Sequence, residues 1–581
     1  MKRLVKILFA LVLGLSLVAC SNSQGGAFKA GTYEGDGKGY GGDIHVKVEL
    51  SDSGIESIEY TADGETPTVG GAALPKLVDK VVAAQSTQID GETGATFTSN
   101  GFFEAVNAAL TSAGIDPTTL AAKESNEKAE DVEKEVDVVI AGAGGAGLTA
   151  AITAAQNGKK VLILEKASVP GGNSSYATGG MNAAGTHYQA EQGIEDSADL
   201  FYEDTMKGGH DLNDPELVRT LADNSSAAID WLDSIGAPLS DVGRAGGASA
   251  ARQHRPVDAE GKVLSVGTFL IEHLSATAEE AGVEIMTNTQ VDAVLMDGNK
   301  AVGLHAVGEA GNQVTIHAGK VIITTGGFGS NPELITKYRP DLEGYVSTNA
   351  PSVTGDAIAF LEEVGADFVD LDQIQVHPTV VQKDGSLISE SLRGDGAILL
   401  NKEGKRFCDE LGTRDAVSAS VSEQPDGYAW LIADEAMAEK SNVIKKYVDK
   451  GHMVKCETVA DLAKTIGADE AVVQESLDAW AKACADKKDD AFGREGYDDA
   501  KTDLTHAPYY AVQIAPGIHH CMGGVKINKD AQVIGTDGNV IENLYAAGEV
   551  TGGVHGGNRL GGNAVADFTV FGRIAGENAS K

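Results

Sequence analysis

Five short stretches of this sequence hold residues suited to gripping an anionic substrate. They are Gln375-Val-His377-Pro-Thr, Ile388-Ser389-Glu390-Ser-Leu-Arg393, Gly412-Thr-Arg414-Asp415, Gly517-Ile-His519-His520 and Gly557-Asn558-Arg559. Singly, each has an ordinary structural reading. A His before Pro is a common turn residue, and an Arg-Asp pair is usually a surface ion pair. Together they supply the two cationic or donor clusters that a dicarboxylate requires. Arg559 offers a planar fork that grips a carboxylate through two bonds, which lysine cannot do. His377 and His519 can hydrogen-bond to carboxylate oxygens and polarise a conjugated double bond, and Ser389 adds another donor. Reduction of such a bond places a hydride on one carbon and a proton on the other. Residue chemistry alone points to a histidine as the proton donor, because its pKa lies near neutrality. Arginine is ordinarily never deprotonated.

The elements that must position this chemistry begin upstream. Residues 135–141 form an apolar run typical of a buried strand, followed by Gly142, Gly144 and Gly147 in G-x-G-x-x-G spacing. Residues 148–156 are Ala-rich and helical, and residues 160–164 read as a second strand ending in Glu165, 23 residues past Gly142. Glycines allow the tight turn and the approach of a helix N-terminus to a pyrophosphate, and the acid suits a ribose hydroxyl. A lone glycine motif is weak; strand, loop, helix, strand and acid in this order specify dinucleotide binding.

Further segments narrow the dinucleotide. Asn173-Ser174, Ala177-Thr-Gly179-Gly180-Met-Asn182, Leu544-Tyr-Ala-Ala-Gly-Glu549 and Gly556-Gly-Asn-Arg559-Leu-Gly-Gly562-Asn563-Ala564 are similar to the FAD-binding segments of the fumarate reductase and succinate dehydrogenase flavoprotein family. The resemblance runs over about residues 136–580 and is strongest to the soluble flavocytochrome c fumarate and urocanate reductases. It implies an α/β fold: a Rossmann-like FAD-binding domain with an inserted α+β capping domain. It implies non-covalent FAD held by Gly142, Gly144, Ala146, Gly147, Glu165, Asn173, Ser174, Gly179, Gly180, Asp356, Glu549, Asn563, Ala564 and Val565. Substrate contacts would come from His377, Ser389, Glu390, His519, Arg559 and Gly562.

On the proton, the resemblance overrides the residue chemistry. It makes Arg414 the donor, with Glu390 and Arg393 returning a proton to it, a relay that works only in a closed site dry on one side. Two departures stand out. The chain has no Cys-x-x-Cys-His haem motif, and Leu387 stands where the fumarate-specific pattern has Met. The His-Pro and Glu-x-x-Arg segments are intact, which favours fumarate. Urocanate, an acrylate or a cinnamate remains open, as does net succinate oxidation. A non-catalytic flavin electron carrier is a rival of another class, and the intact Glu390, Arg393 and Arg414 count against it.

Nearer the N-terminus, residues 44–50 and 54–60 alternate like half-buried strands, and residues 74–85 and 101–113 have helical spacing. Between them lies Asp90-Gly-Glu-Thr93-Gly-Ala-Thr96-Phe-Thr98-Ser99. This resembles the domain in which FMN phosphate esterifies a threonine, and it implies covalent FMN at Thr96, with Thr98 the second choice. Its structural reading, a Gly/Thr-rich turn with Ser99 or Asn100 capping a helix, is compatible, since a helix start favours phosphate.

The whole chain of 581 residues is too long for one core. It reads as a lipoprotein signal peptide (1–19), tether (20–30), α+β FMN-binding domain (31–118), charged linker (119–135), FAD-binding domain (136–371 and 518–581) and capping domain (372–517). Lys2, Arg3 and Lys6 precede a short apolar run ending Leu17-Val-Ala-Cys20, which resembles a bacterial lipobox. Lipidation at Cys20 would anchor the protein on the extracytoplasmic face of the cell membrane. The formal charge of −39 falls to about −42 without residues 1–19 and excludes nucleic acid as a partner. Expected partners are a small unsaturated carboxylate such as fumarate, a membrane quinol-linked or dehydrogenase electron donor, and a flavin transferase. The five cysteines suggest neither a metal site nor a specific disulfide.

Overall fold

The computed structural model describes residues 28–66, 69–92, 94–123, 129–495, 497 and 502–581. Cys20 and Thr93 lie outside the described residues. The chain divides into two compact units, one holding most of the first 126 residues and the other the remainder.

In the smaller unit, β1 (Gly31–Lys38), β2 (Asp43–Leu50) and β3 (Ile55–Thr61) form an antiparallel sheet in that order. Ile44, Val46, Val48 and Leu50 alternate into the core, as period-two patterning dictates. Helix α1 spans Gly70–Ala84, and α2 spans Thr96–Ser112. Helix α2 packs on β1 and β2 through Phe102, Ala105, Val106, Ala109 and Leu110. It starts at Thr96, five residues before the helical spacing at Gly101. Residues 96–100 are poor helix formers, and burial of Thr98 and Ser99 against the unit extends the helix beyond what propensity supports.

The larger unit is built on a mostly parallel sheet. Strand β4 (Val132–Ala141) leads into α3 (Gly145–Gln156) and β5 (Val161–Leu164). Glu284–Met286, β5, β4, Gln313–Ile323 and Val540–Ala546 lie side by side in parallel register, with Lys300–Gly308 and Thr289–Asp297 beyond them. Val540–Ala546 thus brings the chain's end into the sheet that β4 begins. The final helix, Asn563–Ala579, packs against α3. Nearly every side chain of β4 past Val136, and all of β5, is buried, as a sheet covered on both faces requires.

A second, antiparallel sheet orders Ile374–Val380, Tyr509–Cys521, Ala429–Asp434 and Ile398–Leu400, with Val454–Cys456 also paired to Tyr509–Cys521. Around it lie the helices Arg414–Ser422, Asn442–Asp449, Val459–Ile466 and Glu470–Asp486. This is the α+β layer inserted into the FAD-binding fold. Tyr509–Cys521 is one continuous strand through residues 517 and 518, so it delivers His519 and His520 directly to the first sheet's cleft. Cys408, Cys456, Cys484 and Cys521 are free thiols. Among the described residues no helix is long and apolar enough to cross a membrane.

Candidate active site

A groove with about 1560 Å³ of empty space runs from the tip of β4 to the inserted layer. Two helix N-termini open into it. Helix α3 begins after Gly144, and Asn563–Ala579 begins after Gly562, both without a side-chain cap. Uncapped amides at helix starts attract anions. Gly142, at φ 98°, makes the turn, and a Cβ on Gly147 would lie 2.0 Å from the Gly142 carbonyl oxygen. Gly147 therefore allows strand–helix contact and does not line the groove.

The walls are held by local polar bonds. Glu165 accepts from the amides of Ala143 and Ala167, both at 2.7 Å. Asn173 donates to Glu549 at 2.9 Å, and Glu549 also accepts from the Cys521 amide at 3.0 Å. Ser174 Oγ accepts from the Gly145 amide at 3.0 Å. Asp356 is ion-paired with Lys166 at 2.7 Å. Gly144, Ala146, Glu165, Asn173, Ser174, Gly179, Gly180, Asp356, Glu549, Gly562, Ala564 and Val565 all line the groove. Asn563 stands behind it, accepting from Asn182 at 2.7 Å and donating to Thr205 at 3.2 Å. A walled groove with two glycine-capped helix starts fits a dinucleotide.

At the far end, Glu390 is buried between two arginines. Arg414 donates from Nε at 2.9 Å and Nη2 at 2.5 Å to one carboxylate oxygen, and Arg393 donates at 3.0 Å to the other. These guanidiniums hold Glu390 below the usual carboxylate range against a burial that pushes it up. Arg414 also donates to Gln375 Oε1 at 3.0 Å, and Gln375 donates to Asn558 and to the Arg559 carbonyl. Arg393 is wholly buried behind this pair, donating to the Glu410 carbonyl at 2.5 Å. Arg559 has no carboxylate partner among the described residues; burial and the neighbouring Arg414 bring its pKa down to about 9.

The two histidines of this end, His377 and His519, disfavour the charged form. Burial, with Arg414 and Arg559 nearby, pushes His377 and His519 well below 6.5. The Thr379 amide donates to His377 Nδ1 at 3.2 Å, which leaves the ring proton on Nε2, a buried atom without a protein partner. His519 Nδ1 meets the Thr348 hydroxyl at 2.7 Å. Burial and the two arginines thus disfavour the imidazolium form of both rings, which weighs against a histidine donor. Ser389 is buried and faces Thr178 and Ser391, outside the groove lining.

Two contributors have no role legible in the sequence, Gln253 outside any motif and His520 inside one. Gln253 lines the groove with its Oε1 buried and unpartnered, and His520 lines it with both ring nitrogens in the same state. A single amide carries no spacing signal. On the surface, His187 with Asp230 and Asp233 has metal-like composition, but its two nitrogens already face the two carboxylates at 3.3 Å each.

Comparison with known proteins agrees with this geometry. The FAD binding domain family model matches residues 137–565, and the FMN-binding domain model matches residues 39–111. A urocanate reductase from Eggerthella lenta is 34% identical over 95% of this chain and 92% of its own. An open-conformation flavocytochrome c3 fumarate reductase structure aligns with TM-score 0.64 and 41% identity, covering 80% of this chain and 83% of its own. The chain belongs to the fumarate reductase/succinate dehydrogenase flavoprotein family. An NADH:fumarate oxidoreductase from Klebsiella pneumoniae (strain 342) is 40% identical over 92% of this chain, which spans 56% of that longer protein. As a family member, the chain is an FAD-dependent oxidoreductase acting on CH–CH groups, with an FMN-binding domain ahead of the FAD-binding fold.

Proposed function

We propose that this protein is an exported, lipid-anchored reductase that converts fumarate to succinate. One observation carries the reading. A buried Arg393–Glu390–Arg414 chain ends beside Arg559, a cation with no carboxylate of its own among the described residues, and beside two neutral imidazoles. Bound FAD supplies hydride when reduced. Arg559 grips one carboxylate of the substrate; His377, through Nε2–H, and His519 orient and polarise it. Arg414 gives the proton to the second alkene carbon. Its Nε and Nη2 already touch Glu390, which passes to it a proton taken from Arg393, and solvent returns a proton to Arg393 before the next turnover. Gly562, at φ 89°, makes the turn into the helix start, where a Cβ would meet the Asn182 side chain.

Electrons come from a membrane quinol-linked or dehydrogenase donor through FMN to FAD. FMN is esterified to Thr96 by a flavin transferase. Thr96 is exposed, whereas Thr98 is buried and donates to Glu65 at 2.9 Å, which supports Thr96 as the attachment point. Cys20 carries the lipid. A second reading, reduction of urocanate or another unsaturated monocarboxylate, is supported by the near full-length match to the urocanate reductase and by Leu387 in the groove. The test is Arg414→Ala assayed for fumarate reduction by a reduced dye. A loss of about 10³-fold or more in kcat is expected; wild-type turnover refutes the assignment.

A further inference from the structure

We propose that Tyr447 is a positioning residue: from the helix Asn442–Asp449 it fixes the loop that carries Leu387, Ser389 and Glu390. The Tyr447 hydroxyl accepts the Ser389 amide at 2.9 Å and donates to the Leu387 carbonyl at 3.1 Å. It therefore spans Ile388, whose side chain is fully buried. From the opposite side, Thr379 holds the same residue. The Ile388 amide donates to the Thr379 carbonyl at 2.9 Å, and the Thr379 hydroxyl donates to the Ile388 carbonyl at 2.7 Å. Thr379 is also the residue whose amide fixes the His377 ring.

The loop is thus clamped at all four backbone groups around Ile388, between one helix and one strand of the inserted layer. Leu387 and Glu390, on either side of the clamp, both line the groove. A shift of the loop moves Glu390 relative to Arg414 and Arg393, and changes the space next to Leu387. Bond lengths of 2.5–3.0 Å in that relay leave little tolerance. Tyr447 does not line the groove and holds the loop through backbone bonds; it belongs to an apolar cluster with Val443, Ile444 and Met453.

The inference rests on the proposed reduction chemistry. The experiment is Tyr447→Phe in the full-length holoprotein, which keeps the ring and removes both hydrogen bonds. Steady-state fumarate reduction by a reduced dye is followed from pH 4 to 9, with melting temperature and FAD content measured in parallel. The charged groups facing Glu390 are Arg393, Arg414 and Arg559, while Gly246 and Gly561 wall it without charge. Loosening the loop weakens the arginine contacts, so the acid limb of kcat moves to higher pH. We expect a kcat fall of about 10-fold or more, with that shift and with FAD content retained. Unchanged kcat, KM and acid limb overturn the proposal. So does a fall in melting temperature and FAD content with the acid limb in place, since that is a merely structural role. Absence of fumarate turnover in the wild-type arm refutes the reaction and is seen before the variant is compared.

Discussion

At the scale of single residues, the site is a question of which charges are paired. Glu390 is shared by Arg393 and Arg414, and Arg559 waits for an anion. Glu390→Gln leaves two buried guanidiniums without a carboxylate and removes the proton carrier. Its kcat should fall by ~10²–10⁴-fold with a smaller change in KM. Arg559 must be protonated to hold a carboxylate, and its pKa lies at about 9. KM for the dicarboxylate is therefore flat below that pH and rises above it, measurable as a pH–KM profile. The buried neutral histidines bear on stability in the opposite direction. His377, His519 and His520 bind protons in the unfolded chain below about 6.5 but resist them when folded. Their stabilisation is complete above that pH and is lost as pH falls, so melting temperature should drop from about pH 6.5 downward. The motif residues are legible in the sequence because each sits in a short segment with a family pattern. The pairing is not: Glu390 and Arg414 lie 24 residues apart, and Arg559 a further 145. Thr348 and Gln253 have no legible signal, because a lone hydroxyl or amide acquires a role only through what the fold places beside it.

Elements position these residues by close approach. The βαβ unit is legible from β4's apolar half onward, since the glycine turn, α3 and β5 are consecutive and locally patterned, but β4 begins at Val132, inside the stretch read as a charged linker. Gly147→Ala places a methyl group 2.0 Å from the Gly142 carbonyl oxygen. It should cost about 1–3 kcal/mol and release FAD, read as flavin content after gel filtration. The pairing of Val540–Ala546 between Lys300–Gly308 and Gln313–Ile323 has no local signature, because strand order depends on contacts across more than 200 residues of chain. The start of α2 escapes local patterning for the same reason: tertiary burial, not propensity, extends it to Thr96. That shift places Thr96 on the helix's first turn. Thr96→Ala should lose a mass increment of ~0.44 kDa from the intact protein, the approximate size of a phosphodiester-linked flavin. Thr98→Ala should keep the increment and lose only the bond to Glu65.

At the scale of the whole molecule, the proposed electron path runs from the FMN-binding unit to the FAD-binding unit, with Cys20 as the proposed anchor. Cys20→Ala should move the protein from the membrane fraction to the soluble fraction without altering dye-linked kcat. The strongly negative chain, with a net charge of −39, gathers its substrate-facing cations inside the cleft, where Arg559 and Arg414 sit. Under the proposed function these two residues receive a small dicarboxylate, Arg559 as the grip and Arg414 as the proton donor. The most direct measurement is kcat/KM for a panel of unsaturated acids, fumarate, urocanate, acrylate and cinnamate, on the dye-reduced intact protein. The account predicts that fumarate gives the highest value. Fumarate as the poorest substrate of the panel would contradict it.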